Sequence, residues 1–196
     1  MKNGRIMRPF SCGLPVAAKR AFRMQVIECD IPSSSALSRD LIRNARFHDS
    51  YRAPLVRTEL AIVDVFFALF GHTPLWMKLL LLVRNAAARL FGLEVPTVGE
   101  IMRPLVRGEY RIGEKIGPWP IFFIADNEIV AGRDNKHLGF RLSVLKATDG
   151  ETASVFVSTV CTVHNIFGQV YLFFIVPFHR RGVQALISNA IVARRL

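Results

Sequence analysis

The side chains most able to bind a metal or act as nucleophile are five histidines (His48, His72, His137, His164, His179) and three cysteines (Cys12, Cys29, Cys161). Their spacing supports neither role. No H-E-x-x-H, no C-x-x-C and no tight His/Asp cluster occurs, so a metal site is not expected. There is no G-x-S-x-G nucleophile elbow. Gly108, Gly113 and Gly117 stand five and four residues apart, without G-x-G-x-x-G or the Lys-Ser/Thr of a phosphate loop. They read as turn and strand-kink positions. No catalytic residue, no metal and no cofactor is assigned.

A few polar residues remain as binding candidates. His137 and Arg141 share one face of an alternating segment. Inside a pocket, that cationic pair could hold a carboxylate or phosphate. The opposite face is Leu138, Phe140, Leu142 and Val144, so the pair is expected to point outward, solvated or salt-bridged. Tyr171 reads as a buried ring with its hydroxyl satisfied. His179 follows Pro177, where freed helix carbonyls need donors, so a capping role is expected. Asn165 is expected to serve the turn before the last helix. Trp76 and Trp119 read as core, and Arg194-Arg195 as a complement to a helix C-terminus.

Hydrophobic periodicity gives the elements that must position these groups. Phe47–Leu55 alternates loosely and reads as a first strand. Thr58 is expected to cap a helix starting at Glu59, with Ile62, Val63, Phe66, Phe67 and Phe70 as its apolar face and Gly71 as its stop. Thr73-Pro74 opens a second helix ending at Gly92, with Lys78, Asn85 and Arg89 on one side and Trp76, Leu79, Leu80, Val83 and Leu90 largely on the other. Residues 93–108 read as a long loop. Trp119–Ala125 and Glu128–Arg133 flank Asp126-Asn127 as a hairpin, and His137–Lys146 and Thr152–His164 flank the turn at Asp149-Gly150. Val155, Val157, Thr159, Cys161 and Val163 share a face. Tight turns between consecutive strands mean an antiparallel sheet with one covered face. From about Gly168 to Leu196 the pattern is helical with Pro177 inside, although Val170–Phe178 is also rich in β-formers.

The chain has 196 residues, 51% of them hydrophobic, which suits one domain with a substantial core and excludes disorder over most of its length. Net charge is +11. Residues 1–57 carry eleven basic and four acidic side chains, residues 58–151 eleven of each, and residues 152–196 four basic and none acidic. Nucleic-acid readers concentrate their excess on a recognition element, so basic ends point away from nucleic acid. Anionic lipid or an acidic protein stays open as partner. Residues 1–23 hold six Lys/Arg and no acid, with no apolar core of a signal peptide. They are expected to be a basic disordered tail before a single domain over 24–196, with Met24 as an alternative start. Three widely spaced cysteines argue against a disulfide scaffold and for a reducing compartment. No apolar run reaches the ~20 residues of a membrane span. A cytoplasmic location is expected, with peripheral attachment to a membrane as a variant.

The order of elements is similar to the helix-grip fold of the START and birch-pollen-allergen-like superfamily. Several phrases also resemble one bacterial family of unknown function, whose members occur alone or appended to Rossmann-type NAD(P)-binding proteins. They are Phe47-His48-Asp49-Ser50-Tyr51, Pro74-Leu75-Trp76, Leu82-Val83-Arg84-Asn85 and Gly92-Leu93. Downstream come Asp134 through Ser143, Asn165-Ile166-Phe167-Gly168, and Tyr171 through Arg180. The resemblance implies an α+β helix-grip domain, an antiparallel sheet wrapped around a long C-terminal helix, with a further strand near residues 105–117. It also implies a cavity between sheet and helix for a small apolar or amphipathic ligand. The expected lining is Phe140, Leu142, Val157 and Thr159 from the strands and Tyr171 and Phe174 from the helix, with His137, Arg141 and His179 as polar candidates. The alternatives are a non-enzymatic module docking on an acidic partner or anionic membrane through its basic ends, and a cyclase- or hydratase-like enzyme.

Overall fold

A computed structural model of the chain describes residues 25–75, 77–79, 81, 82, 85, 109–150 and 152–196. Seven strands form one antiparallel sheet: β1 (Ile27–Glu28), β2 (Phe47–Pro54), β3 (Lys115–Ile116), β4 (Trp119–Ile124), β5 (Glu128–Asp134), β6 (Leu138–Asp149) and β7 (Thr152–Val163). Their order across the sheet is β1-β2-β7-β6-β5-β4-β3. Among the described residues, the helices with both ends defined are α1 (Arg39–Arg43), α2 (Ile62–Phe70) and α3 (Ile166–Val192). The architecture is α+β and helix-grip-like. The basic segment 1–23, the expected loop 93–108 and Trp76 lie outside the described residues.

Alternation sets the two faces of the sheet. Tyr51 pairs with Val157, Val157 with Val144, and Val144 with Ile129, so these four share one face. That face, with Ala53, Leu142 and Val155, packs against α2 and the C-terminal half of α3 (Val183, Ile187, Ala190, Ile191) in the main core. Trp119 joins it as expected, its ring edge-on to Phe66, Phe70 and Phe140. The N-terminal half of α3 rests on a smaller cluster, Leu138, Cys161 and Leu172. On the opposite face, Leu37 and neighbours from residues 31–45 cover Val130 and Val160. There Glu128, 2% exposed, accepts hydrogen bonds from Ser35 Oγ (2.6 Å), Ser143 Oγ (2.6 Å) and the Ala36 amide (2.7 Å).

The hairpins and the strand face of Leu138 to Val144 match the sequence reading. The additional strand near 105–117 is β3, at the end of that stretch, and β1 was not foreseen. Two details differ. Helix α2 starts at Ile62 after Ala61, not at Glu59 after Thr58. Glu59 pairs instead with Arg57, and Lys146 Nζ donates to the Thr58 and Leu60 carbonyls, holding 57–60 as a turn. In the second expected helix, helical backbone is described at Leu75, 77–79, 81, 82 and 85. There Asn85 is buried and Leu79 half exposed, the reverse of the expected faces, because the leucine run leaves apolar residues on both sides.

Helix α3 is continuous through Val170–Phe178 and carries Pro177 in its interior. Its start is held tightly. Asn165 Oδ1 accepts from the Gly168 amide, capping the helix. Its amide Nδ2 donates to Lys136 O and faces His137 Nδ1 at 2.9 Å. His137 Nδ1 also lies 3.0 Å from Oδ1, so Asn165 can hold the ring in either tautomer. No described helix is long and apolar enough to cross a membrane.

Candidate functional site

On the helix-covered face of β2, the alternation that buries Tyr51 and Ala53 also buries Asp49. A buried carboxylate needs partners. Asp49 has two: the Tyr51 hydroxyl, two residues along the strand, donates to Oδ2 at 3.2 Å, and His179 of α3 brings Nε2 to 3.3 Å. The Asp49 side chain is wholly buried and His179 is 23% exposed, its ring edge-on to Phe47. Directly across from Asp49 on β7 stands Thr159. Its Oγ1 is buried and has no hydrogen-bond partner among the described residues. Cys161, the next residue on that face, completes the cluster.

Burial governs the electrostatics. It raises the Tyr51 phenol above its ordinary range, an effect that a Gln184 hydrogen bond opposes and the negative Asp49 adds to. Burial, then Asp49, pushes the Cys161 thiol up to about 12. At pH 8 only about one such thiol in ten thousand is thiolate, the reactive form. Iodoacetamide at pH 8 is therefore expected to leave Cys161 unmodified in the native protein and to modify it once urea unfolds the chain. Peptide mass spectrometry reads the outcome, and labelling of native Cys161 would show that the cluster opens readily.

The arrangement can hold a polar group in an otherwise apolar setting. An imidazole fixed by a buried carboxylate can also accept or donate a proton. Of the expected site residues, the structure brings Thr159 and His179 together. The His179 capping expectation is corrected: the ring reaches across to Asp49 on the sheet. Phe140 and Tyr171 lie beside them, against the Leu138–Cys161–Leu172 cluster. Leu142 and Val157 are sealed in the main core, and Phe174 faces outward, 63% exposed. His137 is engaged at the α3 cap. Arg141 lies on the opposite face, where Asp134 binds it (2.6 and 2.8 Å) and its guanidinium covers Phe122. That hydrogen bond holds the Asp134 carboxyl below its ordinary range. A surface cleft of about 500 Å³ lies elsewhere, between the approach to α2 (Glu59–Ile62) and the β4–β5 turn.

Sequence reasoning gave Asp49, Tyr51 and Glu128 no role. The Phe47–Tyr51 phrase contained two of them, but 130 residues separate Asp49 from His179, and only the fold joins them. A family model described as a protein of unknown function (DUF2867) matches residues 41–186, from before β2 into α3. No curated protein and no solved structure matches the chain.

Proposed function

Given that the chain belongs to this family, DUF2867, whose function is unknown, we propose that the domain binds a small amphipathic molecule between the sheet and the N-terminal half of α3. The carrying observation is the unpartnered Thr159 hydroxyl beside the Asp49–His179 pair. Leaving a buried hydroxyl unpaired costs about 1–3 kcal/mol. A ligand hydroxyl or carbonyl bonded there would recover that cost. Its apolar body would lie along Phe140, Tyr171 and Leu172, where α3 rests on few side chains. The buried carboxylate of Asp49 repels an anionic head, so the reading favours neutral, hydroxyl-bearing compounds over fatty acids. The helix-grip-like layout supports kinship with the START and birch-pollen-allergen-like superfamily. Free Cys29 and Cys161 support a reducing, cytoplasmic setting.

The test pairs native mass spectrometry of protein purified from cells with a thermal-shift screen of sterol-like compounds, aromatic polyketides and fatty acids. A ligand raises the midpoint with its concentration over its dissociation constant. Thr159→Val is expected to stabilise the free protein by about 1 kcal/mol, because it removes the unpaired hydroxyl, and to abolish the shift. No retained species, no shift and a destabilised Thr159→Val protein would together defeat the reading.

The Asp49–His179 hydrogen bond favours a second reading, an enzyme of the cyclase or hydratase kind. His179 would be its general base, with Asp49 fixing the tautomer. Here a compound that binds would also be converted, and His179→Gln would stop conversion while leaving the thermal shift.

A further inference from the structure

Helix α3 turns its first turns outward. Ile166, Phe167, Val170, Phe173, Phe174 and Phe178 are each between 52% and 76% exposed, Phe173 most of all. At 100° per residue they fall, with Pro177, on one continuous side of the helix. A soluble surface rarely carries a contiguous apolar patch of this kind without a use for it. The stripe runs about 20 Å, at 1.5 Å per residue, which suits a helix lying in an interface plane and not one crossing a bilayer.

Charge decides what lies against it. The stripe ends in exposed Arg180 and Arg181, and Arg180 lies over the Phe47 ring, next to exposed Arg46. From residue 152 onward the sequence has no acidic side chain. A second copy seated on the stripe would bring arginines against a surface without acids. Anionic headgroups would neutralise them, while the acyl boundary takes up the phenylalanines. We propose that the outer face of α3, from Ile166 to Arg181, docks the domain on an anionic membrane surface. The proposal does not rest on the Thr159 reading, and within the basic ends expected to dock, residues 1–57 and 152–196, it assigns the contact to this helix face.

The test is co-sedimentation of the full chain with vesicles of phosphatidylcholine alone or with 30% phosphatidylserine, chosen as a probe. Binding to the anionic vesicles is expected, weakened by salt and at least tenfold weaker to phosphatidylcholine alone. Phe173→Ser/Phe174→Ser and Arg180→Gln/Arg181→Gln should each reduce it at least tenfold. These side chains are exposed, so the thermal midpoint should hold. As a second readout, Phe174→Trp emission should shift to the blue on adding anionic vesicles. Absence of binding, binding that survives the phenylalanine substitutions, or no blue shift would overturn the proposal. So would a concentration-dependent dimer in ultracentrifugation that the serine variant dissolves while vesicles bind neither protein. Loss of ligand-induced thermal shifts in Thr159→Val leaves vesicle binding unchanged, which keeps the two readings separable.

Discussion

Replacing Glu128 by alanine is expected to destabilise the protein by about 3 kcal/mol. The carboxylate is buried and takes three hydrogen bonds, two from hydroxyls and one from the Ala36 amide. Hydrogen bonds to charged groups are worth about 1.5–3 kcal/mol, and a buried donor left unpaired costs about 1–3. The Ser35 and Ser143 hydroxyls can rotate toward other acceptors, which limits the loss. The Ala36 N–H cannot. Glu128 is also what ties residues 35–36 to the sheet, so losing it frees the covering of Val130 and Val160. Urea unfolding should show a lower midpoint for Glu128→Ala, with Glu128→Gln between it and the parent, since the amide keeps the volume and one acceptor. Equal stability of Glu128→Ala and the parent would mean that the three hydrogen bonds are not maintained in solution.

Gly168→Ala sets two effects of opposite sign against each other. Alanine is the better helix former by about 1 kcal/mol. At this position, however, a methyl group would enter the van der Waals envelope of the His137 carbonyl oxygen and stand 3.1 Å from Val163 Cγ1. The carbonyl cannot step aside easily, because it accepts the His164 amide at 2.9 Å. Overpacking against backbone costs about 1–3 kcal/mol. We expect the clash to prevail by about 1 kcal/mol, lowering Tm by roughly 2–4 °C for a domain of this size. A gain in Tm would show that the start of α3 is not pressed against β6.

These two positions mark where sequence reading succeeds and where it stops. Strands β4 to β7 were legible because each alternates over six or more residues and is bounded by Asp126-Asn127 or Asp149-Gly150. Strands β1 and β3 have two residues each, too few for any period to register. Gly168 looked like one residue of a helical run, since its close approach to His137 depends on how α3 crosses the sheet. Glu128 looked like a turn residue opening a strand, because its donors at Ser35 and Ala36 lie more than 90 residues away. The Asp49–His179 pair was hidden for the same reason. The phenylalanines of α3 misled differently. A helix apolar on every side reads as buried throughout, yet only its inner side meets the sheet, so Phe174 was expected in a cavity and stands in the open.

The short outer strands bear on how many copies can share a surface. An unprotected sheet edge offers a ladder of unpaired amides and carbonyls on which another chain can template itself. Here the ladder is interrupted at both ends. On one side Cys29 N–H already donates to Ser50, and Pro54 closes β2 without an amide hydrogen. On the other, Gly113 and Glu114 occupy Ile121, Pro120 lacks a donor, and the register slips between Ile121 and Phe123. Copies crowded side by side would find no long run of backbone to zip onto among the described residues, so on that sheet high local density favours a carpet of separate molecules over growth into fibrils.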